Sequence, residues 1–133
     1  RSSSSAAKWL TIRQYENAEE CFSSLRKRYS SILTTHLSSD AVSLHQLDFT
    51  KSIALVFGNE HSGVSEEIRD LADGNFLIPQ AGIIQSLNIS VACAVTLYEA
   101  YRQKDLAGHY DKRRLDDDRY DSLLKEWSFK REE

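Results

Sequence analysis

The chain lacks any apolar run near the roughly eighteen residues that a membrane-crossing helix requires, and it has neither a cysteine framework nor an excess of basic charge. Each absence excludes a class. Without such a run no helical span is expected, and no apolar stretch stands behind Arg1 to Lys8 to act as a secretory leader. Cys21 and Cys93, the only two cysteines, fall in helical patterns without metal-ligand spacing. They read as core thiols of a reducing compartment, with no metal and no disulfide scaffold. Seventeen Lys and Arg against twenty Asp and Glu leave a net charge of -3. That is not the balance of a protein held to nucleic acid by phosphate contacts alone, so any such contact falls to local patches. A G-x-G-x-x-G turn and a phosphate-binding lysine loop are also missing, which argues against an ordinary nucleotide-binding module. The expectation is a soluble, cytoplasmic chain whose 133 residues make one domain and a tail.

Alternating elements are what the sequence does contain. Residues 1 to 7 are small and serine-rich, as at a frayed end. Trp9, Leu10 and Ile12 suggest a short strand. Asn17 with Glu20 three residues later resembles a capping box, and Ala18, Cys21, Phe22, Leu25 and Tyr29 form one stripe of a helix over 18–29. A strand is expected over 31–36, then a connection to Ser52 with a helical turn near 42–47. Ser65 can cap a helix that carries Glu66 and Glu67 at its positive end and turns Ile68, Leu71 and Ala72 inward, with Gly74 as its stop. This order of strands and helices predicts an α/β fold with a parallel sheet.

Two segments stand out. Five consecutive apolar residues, Ile53 to Phe57, read as a strand buried on both faces, because a half-exposed strand would alternate. The loop from Gly58 to Gly63 therefore lies at a strand's carboxyl end, where open α/β sheets collect ligands. The arrangement then repeats: Phe76, Leu77 and Ile78 form a short strand, Pro79 stops it, and a loop leads through Ser86, Leu87 and Asn88 into a helix over 88–104. That helix is apolar almost all round as far as Leu97, so burial on most sides is expected. From Gly108 the chain is strongly charged, and Tyr120, Leu123, Leu124 and Trp127 form a helical stripe. This helix docks Trp127 on the body or on a partner subunit, or else Arg113 and Arg114 meet RNA.

The strings G-N-E-x-x-G at Gly58 to Gly63, I-P at Ile78 and Pro79, and S-L-N-x-S-V-A at Ser86 to Ala92 occur in order, each in a strand-loop or loop-helix setting. Together they resemble motifs two and three of the SPOUT methyltransferase superfamily, in particular its TrmH-type tRNA and rRNA ribose methyltransferases. The stretches from Ile32 to Leu37 and from Leu97 to Gln103 resemble the tRNA guanosine branch, and the likeness runs from residue 8 to about residue 110. The resemblance implies a parallel-sheet α/β-knot domain with a C-terminal deep trefoil knot, a feature that periodicity alone would not suggest. It also implies a homodimer. Arg1 does not match the family's first motif, an asparagine followed by the catalytic arginine, which lies upstream of the segment that Ser2 to Leu10 resembles. The chain is accordingly expected to be N-terminally truncated, with 1–107 the C-terminal part of a SPOUT domain and 108–133 a charged tail.

By the same resemblance, Gly58, Ile78 and Leu87 are backbone contacts of S-adenosylmethionine, with Thr34 or Thr35, and Thr35 by preference, as a further one. Glu60, Ser86 and Asn88 are the candidate catalytic residues. Each has a plainer role available: Glu60 can brace a loop, Ser86 and Asn88 can cap a helix, and Gly58 and Gly63 can serve turns of positive φ. His61 is assigned no role, His36 supports its loop, and Gln80 replaces the methionine common after I-P. The implied function is 2'-O-methylation of a ribose, guanosine of tRNA first. An rRNA ribose methyltransferase or a catalytically silent RNA-binding relative is the alternative.

Overall fold

The computed structural model describes residues 7–58, 63–82 and 87–129, and its chain divides into two units, 15–109 and the pair of segments 1–14 and 110–133. Within 15–109 the elements run α1 (Ala18–Arg26), β1 (Ser31–Thr35), β2 (Val42–Ser43), a 3-10 turn (Leu44–Gln46), β3 (Ile53–Val56), α2 (Glu66–Leu71), β4 (Gly74–Leu77) and α3 (Ile89–Leu106). The four strands are parallel, in the order β2-β4-β1-β3. Ile32 pairs with Ala54 in β3, and Thr34 with Asn75 in β4, so β1 is hydrogen-bonded on both edges.

Both faces of this sheet are covered. Successive side chains of a strand point to opposite faces, and the two apolar clusters follow that rule. Ile32 and Ala54 pack with Phe22 and Leu25 of α1 and with Ile68 and Leu71 of α2. Leu33, Ile53, Leu55, Phe57, Phe76 and Ile78 pack on the other face with Leu44, Phe49 and Ala100 of α3. Helices on both faces of a parallel sheet make a three-layer α/β unit, in agreement with the fold class read from the sequence.

Local chemistry sets the ends of the helices. Asn17 accepts from the Glu20 amide at 2.8 Å, and Glu20 returns a contact to the Glu16 amide, so the expected cap forms. The helix stops at Arg26 rather than at Tyr29, and its end tightens as the amides of Lys27 and Arg28 bond three residues back, to the Ser24 and Leu25 carbonyls. Ser65 caps α2 as expected.

Four expectations need correction. Gly74 does not end α2; the helix closes at Ala72 in an extended conformation, and Gly74 starts β4, which covers Gly74–Leu77 instead of Phe76–Ile78. Part of the expected helical turn near 42–47 is the edge strand β2, two residues long and paired with Phe76 and Leu77. No strand forms at Trp9 to Ile12. In its own unit, Trp9 meets Trp127 of α4 (Asp117–Phe129) edge to face, with ring centroids 5.5 Å apart, and Arg119 donates to the Thr11 hydroxyl at 2.7 Å. Within the same unit, Arg113 pairs with Asp117 and stacks on Tyr120. Finally, α3 is not buried on most sides: Thr96 and Ala100 are buried, whereas Val91, Val95, Leu97 and Tyr98 are exposed, Tyr98 by 75%.

The far end of α3 is fastened through one amide. Gln103 accepts from the Phe49 amide at 2.8 Å and donates to the Leu47 carbonyl at 2.9 Å and to Glu99 at 3.0 Å. Arg102 grips Glu99 through two bonds of 2.8 Å. These partners, Arg102 first and Gln103 next, hold the Glu99 carboxyl down to about 2 from an ordinary 4.5. A carboxyl depressed on folding contributes stability that is full above its unfolded value and is lost as pH falls toward its folded value. Glu99→Gln should therefore lower stability by about 1 kcal/mol at neutral pH, and the difference from wild type should shrink as pH falls from 4.5 toward 2. Thermal unfolding at pH 7, 4 and 3 checks this, and a gap that stays constant would contradict it.

Candidate functional site

The strands β1, β3 and β4 end at the same edge of the sheet, and the segments that follow them surround a cleft of about 740 Å³. This lies within the range of roughly 300–1,000 Å³ typical of small-molecule sites, and its position at the strands' carboxyl ends is where parallel sheets bind ligands. One wall is Thr35, His36 and Leu37, at the end of β1 and just beyond it. Phe57, Gly58 and Gly63 form the second, and the stretch from Phe76 to Gln80 forms the third. Leu87, Asn88, Ile89 and Ala92, at the start of α3, close the fourth side.

Four residues expected to contact a cofactor, Thr35, Gly58, Ile78 and Leu87, thus line one cleft, and so does Asn88. Glu60 and Ser86 lie outside the described residues, as do Asn59, His61 and Gln85. Thr34 is fully buried and donates to Asn75 Oδ1 at 2.7 Å, which leaves Thr35 as the threonine of the wall. Asn88 caps α3, accepting from the Ser90 amide at 2.8 Å, while also facing the cleft, so capping and lining coincide in one side chain.

Among the described lining residues there is no carboxylate, ammonium or guanidinium. Among these residues the polar groups open to a ligand are backbone N–H and C=O groups and a few side chains, set among apolar ones. An uncharged planar ring with hydrogen-bonding edges suits such a lining. Among the described residues no group of three or more His, Cys, Asp and Glu side chains could hold a metal ion.

The plainer role considered for Gly58, a turn of positive φ, is not the one it fills. Positive φ belongs to Gly63, at +64°, and not to Gly58. A β-carbon at Gly58 would stand 2.2 Å from the Gly63 carbonyl carbon and 2.4 Å from the Val64 nitrogen. The two ends of the 58–63 loop therefore touch backbone to backbone, which only glycine permits.

The β1 wall is braced by side chains that carried no motif. Asn75 Nδ2 donates to the Ser38 hydroxyl at 3.3 Å, and that hydroxyl donates to Asp40 at 2.5 Å. The Ser38 bond is the first cause of the lowered pKa of Asp40. On the other side, Arg69 Nη1 lies 2.9 Å from His36 Nε2. Asn75 was legible only as a polar residue in an expected helix-to-strand turn, and Arg69 only as a charged residue in a helix.

Residues 1–98 match the SpoU rRNA Methylase family. The chain is 45% identical over 120 residues to the tRNA (guanosine(18)-2'-O)-methyltransferase of Thermus thermophilus, covering 90% of this chain and 62% of that protein. Its fold is similar to the crystal structure of the A. aeolicus TrmH/SpoU tRNA modifying enzyme, with a TM-score of 0.82 and 38% identity over 92% of this chain and 62% of that one. An AdoMet-bound rRNA methyltransferase from Sinorhizobium meliloti is similar at a TM-score of 0.58 and 33% identity, over 65% of this chain and 33% of that chain. The chain thus spans about three-fifths of the length of the T. thermophilus and A. aeolicus proteins.

The loop contact generates a direct test. Gly58→Ala should destabilise the protein by about 1–3 kcal/mol, as overpacking against backbone does, and should widen the cleft wall. Thermal unfolding measures the first effect, and a variant as stable as wild type would contradict the contact. With the family profile matching almost three-quarters of its length and these solved relatives sharing its sheet, the chain belongs to the SpoU rRNA methylase family.

Proposed function

We propose that the protein is an S-adenosylmethionine-dependent RNA methyltransferase that modifies a ribose 2'-hydroxyl, with guanosine of tRNA as the substrate. The observation that carries this reading is the cleft at the sheet edge, in which Gly58, Ile78 and Leu87 bring three loops around one space. The relatives support it: one acts on guanosine of tRNA by name, and another was solved with AdoMet.

The lining fits such a cofactor. Phe57, Leu77 and Ile78 offer apolar surface to a purine, the backbone at Gly58, Ile78 and Leu87 offers donors and acceptors to its edge, and Thr35 adds a hydroxyl. When bound, S-adenosylmethionine supplies a methyl group on a sulfonium, open to in-line displacement by an oxygen. A ribose hydroxyl is a poor nucleophile at neutral pH, so the protein must align it and assist loss of its proton. We assign placement of the ribose and cofactor to Ser86 and Asn88, and the shaping of the site between the loops to Glu60. Asn88 is rigidly presented for this task, since its bond to Ser90 fixes it at the head of an eighteen-residue helix.

Two finer features belong to the same proposal. The chain following β4 threads behind the 58–63 loop in a deep trefoil knot. The exposed face of α3, with Val91, Val95 and Tyr98, meets a second copy of the chain, because apolar side chains at that spacing gain by leaving water. Val95→Asp should then shift the protein from dimer to monomer in light scattering, and a wild type that is monomeric at micromolar concentration would contradict the dimer.

The activity is tested with the full-length protein, tRNA and methyl-labelled S-adenosylmethionine, followed by nuclease digestion. Label is expected in 2'-O-methylguanosine, and cofactor binding without transfer would overturn the enzymatic reading. In the same assay Asn88→Ala should lower turnover about a hundredfold, as loss of a positioning group does, while costing only about 1 kcal/mol of stability as a lost cap. Unchanged kinetics with lowered stability would reduce Asn88 to a cap.

A further inference from the structure

Arg69 lies in the last turn of α2 and does not line the cleft. A cation near a helix's carboxyl end is common and needs no other purpose. Two observations set this one apart. Its Nε is buried, with no hydrogen-bond partner among the described residues, so the side chain is folded against the body and not extended into water. Its Nη1 is 2.9 Å from His36 Nε2, thirty-three residues away in the chain.

The chemistry of that contact is one-directional. A guanidinium has five donors and no acceptor and stays protonated, so the imidazole nitrogen must accept. With Nε2 accepting from the arginine, the contact sets the plane of the His36 ring. His36 is part of the cleft wall, between Thr35 and Leu37. The backbone of this wall is held by the His36 amide on the Phe76 carbonyl, and its far end by the Asn75–Ser38 bond. The Arg69 contact acts on the His36 ring. Leaving a buried guanidinium nitrogen without a partner is unfavourable, and the contact with His36 is what that arrangement secures.

We propose that Arg69 is a positioning residue for the cleft, acting through His36 to hold the β1 wall in its ligand-binding shape. The inference rests on the cofactor reading above. It separates from a purely structural role because its effect on ligand affinity must vanish when His36 is absent.

The test is a double-mutant cycle on the full-length protein, with S-adenosylhomocysteine titrated calorimetrically. Arg69→Leu keeps the aliphatic packing and removes the donor, and it should weaken binding about five- to tenfold. His36→Leu should do at least as much, and the double variant should match His36→Leu alone. His36→Gln, which can place an acceptor near Nε2, should recover most of the affinity while Arg69 is present. Effects that multiply in the double variant, or an Arg69→Leu protein that binds like wild type, would overturn the proposal while leaving the cofactor reading intact. A wild type that binds no S-adenosylhomocysteine would overturn both.

Discussion

A strand inside a parallel sheet needs neighbours on both edges and apolar cover on both faces, and β1 meets all four demands at once. Its pairing with β3 and β4 aligns the carboxyl ends of three strands, and its alternating side chains divide the core into the α1/α2 layer and the α3 layer. The cleft is a consequence of that alignment. Where the strands stop, their backbone groups no longer have ladder partners, and the loops that follow present amides and carbonyls to whatever fills the space. The described lining residues, apolar side chains beside backbone and a few polar groups, suit a hydrogen-bonding ring.

Holding such a cleft open takes support from behind. Thr34, buried and bonded to Asn75, connects the sheet interior to Ser38 and the loop beyond β1. Arg69 supports the same wall from α2. The opposite wall depends on the closeness of Gly58 to Gly63, where no side chain could be admitted. Asn88 joins wall to helix, and the Gln103 amide pins the other end of that helix to the segment before β3. The site is thus built on the ends of rigid elements, which suits chemistry that depends on alignment.

Much of this was legible beforehand, for physical reasons that can be named. The continuous apolar run at Ile53 to Phe57 signalled a strand covered on both faces, and the caps at Asn17 and Ser65 marked helix starts, because these are local effects written in adjacent residues. The 58–63 and 78–88 loops were found through motifs, and the structure brings Thr35, Gly58, Ile78, Leu87 and Asn88 to one cleft. Other features depend on distant partners and leave no periodic trace. The edge strand β2 is two residues long and exists only because Phe76 and Leu77 offer it a free edge. Gly74 looked like a helix stop because glycine serves both purposes, and β1 at Leu33 decided in favour of a strand. Trp9 pairs with a ring more than one hundred residues away, and the Arg69–His36 contact spans two elements that no motif links.

The central claim is that one cleft, walled by three loops, receives the adenosine part of the cofactor on their backbone groups. A crystal structure of the protein with S-adenosylhomocysteine tests it most directly. The adenine should lie among Gly58, Ile78 and Leu87 with its edge on their backbone groups, and Thr35 should stand beside it. A ligand bound elsewhere on the chain, or held in this cleft by charged side chains in place of backbone, would contradict the claim.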